Sequence, residues 1–204
     1  MEKPAETNIE LHDLIKRRWS PRSFSSRLVE REKLLSIMEA ARWAPSCFNE
    51  QPWHFIVATK DSPEEFDRML SCLAEANRVW AKNVPVLIIT AARLYFDHNG
   101  KENRWAWHDV GLAVENMALQ ALSMGIFVHQ MAGFNSDRTK IVYDIPEGHE
   151  PVTAIALGYP GEPEALPEEL RARELLVRER KKVESFVFGG RWGDQAGFLS
   201  ETSS

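Results

Sequence analysis

The densest chemistry in the sequence lies in Arg17-Arg18-Trp19-Ser20-Pro21-Arg22, where three guanidinium groups and a hydroxyl fall within six residues. Such a cluster repels itself unless an anion offsets it. A phosphate would do so, because guanidinium forks match its oxygens bidentately and Ser20 adds a donor. The alternative is a solvated helix end whose cations complement the helix dipole. A second concentration is Pro45-Ser46-Cys47-Phe48-Asn49-Glu50-Gln51-Pro52-Trp53. Its hydroxyl, two amides and two prolines make a rigid polar loop able to present amide and backbone groups to the edge of a heterocycle, or else a plain helix-to-strand connection. No Cys/His arrangement surrounds Cys47, so it reads as lining rather than as a nucleophile.

The elements that must position these residues follow from periodicity. Ile9, Leu11, Leu14 and Ile15 have near-helical spacing, and Pro21 breaks the pattern, so a short helix over 9–18 delivers the basic turn. Leu34, Leu35, Ile37, Met38 and Ala41 predict an amphipathic helix over 30–43 that ends before Pro45. The β-branched runs at 54–59 and 84–92 read as buried strands, with helical periodicity over 63–82 between them. Residues 93–108 keep no clear period and read as a loop or lid, in which Tyr95, Phe96, Trp105 and Trp107 cover a pocket or pack on the core. Residues 109–124 are apolar around almost the whole helix, interrupted chiefly by Glu115, Asn116 and Gln120, and Gly125 stops them. Further strands are expected at 126–130 and 151–159, with a helix over 136–143. The C-terminal segment begins as a charged helix, turns basic from Arg178 to Lys182, and ends in an aromatic, glycine-rich extension that leaves the body of the subunit.

These readings give an α+β or mixed sandwich fold with no internal repeat. No linker composition divides the chain into two independent domains. The chain has 204 residues, 44% of them hydrophobic and 27% charged, which suits a folded globular protein. Its net charge of -5 opposes general attraction to nucleic acid or anionic lipid. Two cysteines build no disulfide framework, the polar start MEKPAETNIE does not resemble a secretory signal, and no apolar run approaches the roughly 20 residues of a bilayer span. The expected location is therefore cytoplasmic. The six histidines show no metal-ligand spacing, and glycine-rich nucleotide-binding patterns are absent.

Together the two patches resemble the nitroreductase family, in which an N-terminal helix ends in Arg-x-Ser-x-Arg/Lys and the next leads into Pro-Ser-x-x-Asn-x-Gln-Pro-Trp. Here these are Arg18-Trp19-Ser20-Pro21-Arg22 and Pro45 to Trp53. The likeness continues through Asn83-Val84-Pro85-Val86, Asp109-Val110-Gly111-Leu112-Ala113, Met124-Gly125-Ile126, Gly133-Phe134 and Gly190-Arg191-Trp192-Gly193, so it implies a single domain over about 9–194, with a flexible N-terminus (1–8) and a polar tail (195–204) outside it.

The resemblance implies an α+β fold with a mixed central sheet flanked by helices, a long buried central helix and a C-terminal extension that reaches the partner subunit, in an FMN-dependent oxidoreductase that works as a homodimer. It would take hydride from NADH or NADPH and pass electrons to a nitroaromatic, quinone or similar small acceptor by a ping-pong route. Arg18 and Ser20, with Trp19 between them, would hold the FMN phosphate side, joined by Arg191 from the tail. Arg22 would reach the N1 and O2 edge of the flavin ring. Pro45, Ser46, Cys47 and Asn49 would come from the other subunit, and backbone at Met131, Ala132 and Gly133 would meet the N5 and O4 edge. A further flavin-contacting position falls near Asn77. The sequence departs from the family's usual residues at Cys47, where a second small hydroxyl is common, and at Ala132, where some members carry an acid. A dedicated enone, dehalogenation or cyclodehydration reaction on the same cofactor, or a non-catalytic flavin carrier, is also compatible with the resemblance.

Overall fold

The structure, a computed structural model, describes residues 1–199. The remainder of the expected 195–204 tail lies outside the described residues. The chain runs α1 (Asp13–Arg17), α2 (Arg31–Arg42), β1 (Trp53–Thr59), α3 (Pro63–Leu70), α4 (Glu75–Ala81), β2 (Val86–Arg93), α5 (Ala106–Ser123), β3 (Phe127–Met131), α6 (Ser136–Val142), β4 (His149–Gly158) and α7 (Glu168–Leu175). The four strands form one sheet in the order β1-β2-β4-β3. Every pairing among them is antiparallel, where a mixed sheet was expected.

The sheet divides the core in two because successive side chains of a strand point to opposite faces. Strand β2 is buried from Val86 to Ala92. Its Val86 and Ile88, with Ile155 and Leu157 of β4, pack on Ile37 and Ala41 of α2 and Val110, Val114 and Met117 of α5. Leu87 and Ile89 face the other way, toward Phe66, Met69, Trp80, Trp19 and Phe24. Two of the polar interruptions of α5 are thereby explained: Asn116 Nδ2 donates to the Ala40 carbonyl at 3.1 Å and Gln120 Nε2 to Ser36 Oγ at 3.0 Å, so both fasten α5 to α2.

Local expectations are corrected in three places. The first helix is confined to Asp13–Arg17, with His12 Nδ1 accepting the Leu14 N–H as its cap. The helical run at 63–82 is two helices, because the intervening Cys72–Ala74 backbone pairs with 133–135: Asn135 N donates to Cys72 O, and Ala74 N to Gly133 O. Helix α5 begins three residues earlier than its apolar pattern, at Ala106, while 94–103 folds back on itself through a Tyr95–Glu102 bridge.

Candidate functional site

After α1 the backbone turns extended at Arg18, and three distant elements then fix the basic turn. His129 on β3 donates Nδ1–H to the Pro21 carbonyl at 2.7 Å. Ser23 Oγ donates to the Glu162 carbonyl at 2.5 Å, just beyond β4. On α7, the buried carboxylate of Glu174 accepts the N–H of Arg22 at 2.9 and 3.1 Å and that of Ser23 at 3.1 Å. The Arg22 guanidinium lies 3.8 Å from the same carboxylate.

This turn forms one wall of a cavity of about 230 Å³ lined by Lys3, Arg18, Arg22, Arg173, Arg178 and Arg180, with Ser20 and Glu174. Six cations face one carboxylate, so the cavity is strongly positive. Burial, followed by the charges of Arg18 and Arg180, holds the Arg178 guanidinium below its usual pKa. Burial likewise lowers Lys3, which Glu174 raises and Arg178 and Arg22 lower further. Trp19, in the same wall, leaves its buried indole Nε1 without a hydrogen-bond partner. A donor set of this kind fits a phosphate dianion, which would offset the repulsion and accept from several guanidiniums at once.

The second patch is a strained loop. Phe48, Asn49 and Gln51 adopt φ of 53°, 56° and 51°, a left-handed conformation that non-glycine residues seldom take. Asp109, buried in the first turn of α5, accepts the Cys47 N–H on Oδ2 at 3.0 Å, and Ser46 Oγ accepts the Gln51 N–H at 3.0 Å. Glu50 ties the loop to 93–98, taking a salt bridge from Arg93 at 2.7 Å and the Asp97 N–H at 2.5 Å. A cavity of about 250 Å³ opens here, lined by Pro45, Ser46, Cys47, Trp105, His108, Asp109 and Leu112.

The basic cavity and the Cys47 cavity share no lining residue. Both patches touch α5, Arg18 through Glu115 at 3.9 Å and Cys47 through Asp109. Those two acids stand about 9 Å apart along the helix axis at 1.5 Å per residue. Of the remaining expected residues, Met131 is buried at the end of β3, Ala132 is exposed, and Gly133 has its carbonyl occupied by Ala74 N–H and Asn77 Nδ2. Arg191 is exposed on the tail and does not line the basic cavity of its own chain. Sequence reasoning missed Lys3, Arg173, Glu174 and His129, and gave Arg178 and Arg180 no role. Only the Arg178–Lys182 charge run offered a signal.

With this geometry in hand, comparison with known proteins is decisive at the level of family. The nitroreductase family model matches residues 15–159. The chain belongs to the nitroreductase family. A solved structure described as an oxidoreductase containing FMN is 35% identical, superposes with a TM-score of 0.88, and matches 93% of this chain and 96% of its own. A Methanothermobacter thermautotrophicus protein, provisionally named an NADH dehydrogenase/NAD(P)H nitroreductase, is 31% identical over 76% of this chain and 80% of its own length. The major NAD(P)H-flavin oxidoreductase of Aliivibrio fischeri is 24% identical over 73% of this chain and 86% of its own. The α+β fold inferred from the sequence is the fold of this nitroreductase family. No described helix is long and apolar enough to cross a membrane.

Proposed function

We propose that this nitroreductase-family chain is an NAD(P)H-dependent FMN oxidoreductase whose two identical active sites each need two chains. The observation that carries the reading is the division of the family's two motifs between separate cavities of one subunit. In a two-fold dimer, the Cys47 loop of one subunit meets the basic cavity of the other, and both sites are completed together.

The outer face of α5 supports this arrangement. Gly111 is exposed, and a Cβ placed on it would meet nothing within 4 Å. Glycine inside a helix costs about 1 kcal/mol relative to alanine, so its use here suits close approach by a second chain. Trp105, Trp107 and Phe48 are exposed nearby, at 58%, 47% and 79%, and Trp43 adds a further large apolar side chain at 71%.

When bound, FMN supplies a centre that accepts a hydride and later gives it up. Arg18, Ser20, Arg178 and Arg180 would hold its phosphate in the basic cavity, with Trp19 beside them and Arg191 arriving from the tail. Arg22, fixed by Glu174, would place positive charge at the N1 and O2 edge and so stabilise the negative charge that the ring gains on reduction. Pro45, Ser46, Cys47 and Asn49 would contact the ring from the second subunit, and the backbone at Met131, Ala132 and Gly133 would meet its N5 and O4 edge. The space beside the ring would admit NADH or NADPH and then a nitroaromatic or quinone acceptor in turn, an arrangement that would give ping-pong kinetics. An absorption spectrum of the purified protein tests the cofactor. Bound flavin that NADH or NADPH bleaches anaerobically supports the reading, and a colourless protein that cannot be reconstituted with FMN contradicts it.

A further inference from the structure

The Cys47 cavity contains an acid–base pair that the reading above leaves unused. His108 stands in the first turn of α5, and its Nδ1 is 3.1 Å from Asp109 Oδ1. Asp109 is 2% exposed, and its other oxygen is held by the Cys47 N–H. The carboxylate therefore cannot turn away without losing a hydrogen bond, and it fixes Nδ1–H on the imidazole. The opposite nitrogen, Nε2, is left for another partner. The His108 side chain is 62% exposed and lines the cavity beside Trp105, Leu112 and Pro45. Asp109 and Cys47 are the other titratable side chains of the cavity.

We propose that His108 is the proton donor to the acceptor, acting in trans on the cofactor held by the other subunit. This rests on the reading that the Cys47 loop faces that cofactor. A quinone becomes a hydroquinone by gaining one hydride and one proton. The hydride comes from the reduced cofactor. The proton leaves Nε2 of the protonated His108 and bonds to the quinone oxygen on which negative charge accumulates. His108 is then neutral, still donating Nδ1–H to Asp109, and regains its proton from solvent. Proton transfer by a positioned histidine contributes roughly 100- to 10,000-fold to such steps.

The test compares wild type with His108→Gln as FMN-loaded protein, reduced anaerobically with NADH and reoxidised in a stopped-flow instrument. Duroquinone needs a proton; ferricyanide takes single electrons and needs none. The expected result is at least a tenfold slower reoxidation by duroquinone with the ferricyanide rate unchanged, and loss of the wild-type fall in the duroquinone rate at high pH. A second readout does not depend on turnover. Histidine-labelled 15N spectra of the protein as purified should show neutral His108 protonated on Nδ1, and Asp109→Asn should abolish that preference. An unchanged duroquinone rate, an equal loss with both acceptors, or a neutral His108 protonated on Nε2 would overturn the proposal. A protein that takes up no FMN would instead overturn the flavin reading beneath it.

Discussion

Glu174 and Arg22 are 152 residues apart, yet the Glu174 carboxylate accepts the Arg22 backbone N–H on Oε1 at 2.9 Å. A helix beyond the matched family region thus shapes the turn that the family's first motif encodes. Glu174→Ala leaves two backbone donors without their acceptor, at roughly 1–3 kcal/mol for each buried unsatisfied group. Urea unfolding should show the loss, and FMN titration a weaker affinity. Glu174→Gln, which keeps one oxygen acceptor, should lose less in both measurements. Wild-type FMN affinity in Glu174→Ala would detach the turn from α7.

The arginines should separate by role. Arg18→Ala and Arg191→Ala each remove a charge-assisted partner of the phosphate, worth roughly 1.5–3 kcal/mol, or about 10- to 100-fold in affinity. Arg22→Ala should act mainly on the ring, lowering the flavin reduction potential and slowing reduction. Equal affinities for wild type and all three variants in an FMN titration would remove the assignment.

His129 predicts a pH dependence of stability. Burial pushes its pKa down from 6.5 to about 4, opposed by the bond to Pro21 and assisted by the charge of Arg22. Between these values the unfolded chain binds the proton and the folded chain does not, so stability rises with pH across that window. The contribution is complete above 6.5, declines as pH falls, and is gone below about 4. Its full size is about 3 kcal/mol at 1.36 kcal/mol per unit. Denaturant titrations from pH 4 to 7 should show this slope, reduced in His129→Gln. The same slope in both proteins would assign it elsewhere.

The sequence carried the local part of this design and not the long-range part. Arg18 to Arg22 and Pro45 to Trp53 were legible because residue type and spacing within a few positions define them. The break at Ser71–Ala74 was not, since the apolar period runs through it and only pairing with 133–135 interrupts the helix. Glu174 lies in an eight-residue helix rich in charge, where nothing distinguishes the one buried carboxylate from its solvated neighbours. Asp109 carried a fainter signal, being an acid at the head of an otherwise apolar helix.

Gly111 offers a way to separate fold from assembly. Gly111→Leu should leave the subunit folded, because the position faces open space in the chain and leucine favours helix. It should weaken the dimer through the added side chain. Circular dichroism with sedimentation velocity would check both. A Gly111→Leu protein that assembles as wild type does would move the interface away from this face of α5.

The shared site is the centre of the account, and light scattering with flavin absorbance recorded across one chromatographic peak tests it most directly. The prediction is a mass twice the 23.3 kDa of one chain, with flavin in the same peak and flavin loss whenever dilution or Gly111→Leu shifts the mass toward one chain. A peak at one-chain mass that retains a full complement of FMN would contradict it.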